Sequence, residues 1–244
     1  MKYQKTKGIV LNQLKYSETS LIINVLTEDF GKMSFIVNGV RKRKSKFPAN
    51  YFQAFNILQI VFIESSKSDL HRITEVSNAV LLNDIIFDIH KSSICMFLAE
   101  LIHLSYKSSE KDEQLFQFLE HLIQYIDSSS NKGIANIHLW TLLRLMQFSG
   151  ISPYNNYSAD NKYFNPVEAC FTTSRAKDSL TYSSSISEKI RLLLASEIET
   201  CSEIELKTKE RQILLNKMIE YFQLHLDRFK PSKSLKILSE VFAN

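Results

Sequence analysis

The residues with the clearest chemical meaning are Arg41, Lys42, Arg43, Lys44 and Lys46, five cations and no anion within six consecutive positions. Charges packed this densely repel one another and need an external anion. Guanidinium and ammonium groups in such a run can neutralise phosphates and release condensed counterions, which gives affinity for nucleic acid without reading its sequence. Phe35, Phe47, Tyr51 and Phe52 flank the run, and rings beside a basic groove can stack on bases at ~1–3 kcal/mol each. Phe35, however, falls on the apolar face of its strand and reads as core. For the run as a whole, the alternative is a solvated basic loop with the aromatics inside the fold.

Other chemistry is harder to find. The five glycines, Gly8, Gly31, Gly39, Gly133 and Gly150, lack the spacing of a phosphate-cradling loop or a dinucleotide fingerprint. No two of the six histidines fall within four residues of each other, there is no CxxC pair and no serine occupies a nucleophile elbow, so zinc-protease, zinc-finger and hydrolase signatures are missing. His90, His103, His121 and His138 read as helix-surface or core residues, and the pairs Asp84/Asp88 and Glu197/Glu199 as solvated helix faces. No catalytic residue, metal ligand or cofactor is expected. Cys95, Cys170 and Cys201 are an odd number far apart, which suits a reduced compartment. The first ten residues lack the apolar stretch of a signal peptide and no segment resembles a membrane span, so a cytoplasmic protein is expected.

Charge is distributed unevenly. Residues up to Val80 carry 12 Lys+Arg against 6 Asp+Glu, a balance of +6, and the remainder carries 18 against 20, a balance of −2. An N-terminal module meeting a polyanion, joined to one that packs or meets proteins, fits that asymmetry.

The elements that must position the cations follow from periodicity. Alternating apolar residues predict strands over about Lys7 to Leu14, Leu21 to Val25 and Met33 to Val37, the last two joined by the turn Glu28-Asp29-Phe30-Gly31. A fourth strand is predicted from about Phe52 to Ile63 and a fifth from Leu70 to about Val76. Five antiparallel strands with a long third connection suit a small closed barrel such as an OB-fold; a small open sandwich is the rival. After Asn83 the period becomes helical, with apolar stripes from Ile86 to Ile102, Leu115 to Ile126 and Ile134 to Phe148, the last stopped by Gly150 and Pro153. Residues 154–185 are polar and predict an irregular connection. Helices resume over Ser187 to about Glu199, over Thr208 to about Phe229 with Thr208 as a possible N-cap, and over Ser234 to Phe242. The expected fold class is α+β, with an OB-fold nucleic-acid-binding domain over 1–80 and a helical domain over 81–244.

With these residues in view, the chain resembles the RecO family of recombination mediators. In the N-terminal third the resemblance rests on Lys7-Gly8-Ile9-Val10-Leu11, Tyr16-Ser17-Glu18-Thr19-Ser20, Leu26-Thr27-Glu28-Asp29-Phe30-Gly31 and Gly39-Val40-Arg41-Lys42. Further on it rests on Leu143-Arg144-Leu145-Met146-Gln147-Phe148-Ser149-Gly150 with Pro153, and on Lys230 to Leu238. The resemblance implies an OB-fold, a helical domain and a non-enzymatic role in DNA repair and recombination. It also implies binding of single- and double-stranded DNA, strand annealing, and partners in RecR and the single-strand-binding protein's C-terminal tail. RecF and the recombinase RecA are further implied partners, and the implied place of action is the cytoplasm beside the nucleoid.

The family's basic segment maps onto Arg41, Lys42, Arg43, Lys44 and Lys46, the expected phosphate ligands, and Arg144 is a further candidate along the DNA path. Many relatives carry a four-cysteine zinc site after the Gly-x-x-Pro. Here residues 155–182 contain only Cys170, so no structural zinc is expected in this zinc-finger-like insertion. Three other readings stay open on the residues alone: an RNA-binding OB-fold protein of different purpose, an enzyme with an unfamiliar site, and a helical scaffold with a solubilising loop.

Overall fold

The structure is a computed structural model that describes residues 3–40, 45–65, 68–106, 108–173, 180–227, 229–230 and 233–242. By internal contacts the chain forms two compact units, 1–128 and 129–244.

The first unit begins with a closed barrel of β1 (Tyr3–Lys15), β2 (Leu21–Thr27), β3 (Gly31–Val37), β4 (Ile57–Ile63) and β5 (Leu70–Asn78). Its order is β1-β2-β3-β5-β4, with β4 closing onto β1 and β3 running parallel to β5. This is the five-stranded Greek-key arrangement of an OB-fold. One strand must serve two neighbours for the sheet to close: β1 pairs with β4 from Tyr3 to Ile9 and with β2 from Gly8 to Lys15. The register shift between Val10 and Asn12 supplies the bend. Inward residues alternate as a half-buried sheet requires, and Val10, Ile23, Val25, Phe35, Leu58, Ile60, Phe62 and Ile73 fill the interior. The Phe35 and Phe62 rings meet edge-on at 5.1 Å.

Two helices complete this unit, α1 (Ile89–Ser105) and α2 (Glu113–Ser128). Lys32 on β3 donates to the carbonyls of His103 at 2.6 Å and Tyr106 at 3.0 Å, satisfying acceptors that the end of α1 leaves unpaired. Lys7 on β1 pairs with Glu120 on α2 at 2.9 Å. Between them, Gly31 has φ +68°, and a Cβ there would run into the carbonyl of Glu110. Gly31→Ala therefore combines left-handed strain with a backbone clash and is expected to lower stability by roughly 2–4 kcal/mol. Urea unfolding followed by far-ultraviolet circular dichroism checks this; an unchanged midpoint would contradict it.

The second unit contains α3 (Ile137–Phe148), the short hairpin β6 (Tyr163–Asn165) and β7 (Cys170–Thr172), α4 (Ser184–Ala195), α5 (Thr208–His225) and α6 (Ser234–Val241). Trp140 Nε1 and Arg144 Nη2 both donate to the carbonyl of Ser196. Asn136 donates to the carbonyls of Cys201 and Ile204 and accepts from Arg211 Nε at 3.0 Å. No helix among the described residues is long and apolar enough to cross a membrane.

Several boundaries differ from the sequence expectation for local reasons. The fourth strand starts at Ile57 rather than near Phe52, because Ala49–Phe52 form a 3-10 turn that drops Phe52 into the barrel core. Phe55 then takes a left-handed φ of 66°, and its N–H donates to the carbonyl of Val10 at 2.8 Å. Helix α1 starts at Ile89 because the Asp88 carboxylate accepts from the N–H groups of His90 and Lys91. Helix α4 starts at Ser184, capped by Ser183. Thr208 is the first residue of α5 and not its cap; the cap is Lys207, whose N–H donates to the Glu210 carboxylate at 2.7 Å. The stretch expected to be irregular contains the β6–β7 hairpin. Asn156 holds it by exchanging two hydrogen bonds with Phe171, and Phe164 packs on Phe171, Tyr182 and Tyr221.

Candidate nucleic-acid interface

The barrel offers two loops beside each other at one end. Leu21 and Val37 are paired at that end of the β2–β3 ladder, so the β1–β2 loop and the β3–β4 connection leave the sheet together. Ser20 Oγ donates to Asn38 Oδ1 at 3.0 Å and ties the two loops at their base. In an OB-fold the β2–β3 face and the β1–β2 loop are where oligonucleotides bind.

The basic segment lies in the second of these loops. Arg41, Lys42, Arg43 and Lys44 fall outside the described residues, but their flanks are fixed. Val40 is 4 % exposed and Phe47 8 %, and both belong to the barrel core. Gly39 has φ +73°, a conformation that suits glycine where the chain turns out of β3. Lys46 is exposed, donates to the carbonyl of Thr74 on β5 at 2.9 Å and lies 5.1 Å from the Phe47 ring. An ammonium has three donors, so this bond holds Lys46 against the barrel wall and leaves hydrogens for a phosphate.

The aromatic residues near the segment divide clearly. Phe35, Phe47 and Phe52 are core, Tyr51 packs partly buried against them, and none of the four is presented for stacking as an open ring. Tyr16, 60 % exposed in the β1–β2 loop, is the ring that sequence reasoning passed over. The signal was its place in a short polar loop after a strand, which has no apolar neighbours to cover it. Outward residues on the same face form rows across the ladder, Leu14–Ile22–Ile36–Arg72 and Asn12–Asn24–Ser34, and Ser34 Oγ donates to Asn24 Oδ1 at 2.9 Å.

Arg144 belongs to the second unit. Its guanidinium stacks 5.0 Å from Trp140 and donates to Ser196 at 2.7 Å, so part of its hydrogen-bonding capacity holds α3 to the start of the segment after α4. The histidine expected to be core or surface that is most deeply enclosed is His138, which burial, with the Arg211 charge beside it, pushes down to about 3. Burial pushes the Cys95 and Cys201 thiols up, Cys201 to about 12, so both stay protonated at neutral pH. Among the described residues no group of three or more His, Cys, Asp or Glu side chains is arranged to hold a metal.

Comparisons with known proteins extend over nearly the whole chain. Residues 1–79 match the family model for the N-terminal region of recombination protein O, and residues 86–235 match that for its C-terminal region. A DNA repair protein RecO from Flavobacterium psychrophilum is 35 % identical over 241 residues, covering 98 % of this chain and 99 % of the relative. The RecO of Flavobacterium johnsoniae is 36 % identical over 240 residues, with the same coverage. That of Pelodictyon phaeoclathratiforme is 25 % identical over 258 residues, covering 97 % and 98 %. An OB-fold barrel carrying a basic third connection, followed by a helical region, and aligned end to end with these relatives, belongs to the RecO family of non-enzymatic DNA repair and recombination proteins.

Proposed function

We propose that this protein binds single- and double-stranded DNA on its barrel, anneals complementary strands, and helps load recombinase onto DNA covered by single-strand-binding protein. The observation that carries the reading is the basic segment's attachment. Val40 and Phe47, on either side of it, are both built into the barrel core, on the loop that Ser20 and Asn38 tie to the β1–β2 loop. Cations on a fixed base can hold one strand by its phosphates while its bases stay free to pair. Neutralised phosphates also reduce the repulsion that a second strand meets. No bond is made or broken, so no nucleotide or metal is required.

The partners in this reading are RecR, the single-strand-binding protein, RecF and the recombinase RecA, and its place is the cytoplasm beside the nucleoid. A tail with acidic residues and an apolar C-terminal residue needs apolar walls and a cation.

The test is annealing of two complementary labelled oligonucleotides, followed by fluorescence transfer without ATP or divalent metal. The protein is expected to raise the annealing rate roughly tenfold or more at low salt, an effect that fades as salt rises. No acceleration, or acceleration that needs ATP, would contradict the reading. Equal or stronger action on RNA strands would favour an RNA-binding purpose, since the 2′-hydroxyl separates the two.

A further inference from the structure

The turn between β5 and α1 is built unusually firmly for a segment that points apolar side chains at solvent. The Asp127 carboxylate on α2 accepts three consecutive backbone N–H groups, those of Asn83, Asp84 and Ile85, at 2.9, 2.9 and 3.0 Å. Lys91, 3 % exposed, donates to Asp84 Oδ2 at 3.0 Å and to the carbonyl of Asp127 at 2.7 Å. Phe87 and Asp88 donate back to the carbonyl of Asp84, Asp88 caps α1, and Ile85 is buried as the anchor. On this fixed turn Phe87 is 84 % exposed, Leu81 74 %, Ile89 65 % and Ile86 49 %. Four large apolar side chains within nine residues leave on the order of 500 Å² of largely apolar surface, at the upper end of what a monomer leaves uncovered.

We propose that this turn is a protein-docking knob, whose partner offers an apolar pocket rimmed by lysine or arginine. Charge chooses among occupants. Lys91 balances part of Asp84 but is buried beneath the turn, so the charges left at its surface are those of Asp84 and Asp88, which disfavour nucleic acid and anionic lipid. A second copy of the chain would bring Asp84 and Asp88 against the same carboxylates across a two-fold axis. A partner of opposite rim charge is attracted, and an already ordered turn loses little freedom on binding.

The probe is purified RecR from the same organism, and this choice rests on the partner named under the proposed function. Its binding to the full chain and to the double variant Ile86→Ser, Phe87→Ser is measured by titration calorimetry at two salt concentrations. Both residues are exposed, so the variant keeps its core, and unchanged single-stranded DNA binding serves as the folding control. Removing two central anchors is expected to weaken RecR binding roughly 30-fold or more, with wild-type affinity falling as salt rises. Equal affinity of both proteins for RecR would overturn the knob and leave the RecR partnership standing. Failure of the wild type to bind RecR would overturn both. A wild-type dimer that the variant loses would overturn the assignment to a different protein.

Discussion

Asp127→Ala is expected to destabilise the first unit by roughly 3–5 kcal/mol, because it strands three backbone N–H groups and takes away a negative charge close to the buried Lys91, which keeps its bonds to the Asp84 carboxylate and to the carbonyl of residue 127. Lys91→Met should cost less, since it removes the charge along with its need for partners, and the double variant should be less destabilised than the two losses added. The pH dependence follows from the same contacts. Burial alone would raise the Asp127 carboxyl, but the three N–H donors and Lys91 outweigh it and hold the group below the ordinary aspartate value of 3.8. A carboxylate depressed in the folded state contributes fully above that ordinary value, and its contribution is lost as pH falls through the lower folded one. The wild type should therefore lose this part of its stability only below about pH 4, and Asp127→Ala should lack it at neutral pH.

The single tryptophan, Trp140, lies in the second unit. Its fluorescence is thus the wrong signal for this effect, and amide exchange at Asn83, Asp84 and Ile85 is the right one. Fast exchange at these amides in the variant, with the Trp140 transition unchanged, is the expected pattern. Unchanged protection would show that the carboxylate does not hold the turn.

The barrel was legible because β2 and β3 carry a clear period-two signal and five short strands with a long third connection suit closure. The expectation that all the strands are antiparallel is corrected by β3 and β5, which pair in parallel because the closing contact joins strands distant in sequence. Phe52 was misplaced because an apolar residue dropped into a core by a 3-10 turn has the same composition as one that begins a strand. The β6–β7 hairpin was missed because strands of three residues are too short to show alternation. The Asp127 clamp was out of reach for a different reason. Its partners lie more than forty residues upstream, and sequence spacing cannot show which distant backbone amides a carboxylate will meet. For the candidate site the cations were plain in the sequence, since a charge run is a compositional fact. The division of the aromatics into core Phe35, Phe47 and Phe52 and exposed Tyr16 was not, because it depends on which face of the closed sheet each residue takes.

Changing Arg41, Lys42, Arg43 and Lys44 together to Ala is expected to cost more DNA affinity than a change to any other four charged residues of the chain. These four positions carry most of the N-terminal excess of +6, and each cation that meets a phosphate contributes to counterion release. The loss should be independent of base sequence, since phosphate contacts position a strand without reading it. Stability should change little, because the flanks that belong to the core, Val40 and Phe47, are kept.

The measurement closest to the central claim is therefore the binding of a fluorescent single-stranded oligonucleotide across a salt series, for the wild type and this fourfold variant. Each phosphate contact contributes about 0.7 to the slope of log K against log salt, so the loss of ~3 contacts should flatten the slope by roughly 2 and weaken low-salt binding sharply. That result would put DNA on the barrel's third connection. Equal slopes and affinities for the two proteins would remove the segment from the interface, and absence of binding by the wild type would contradict the account at its root.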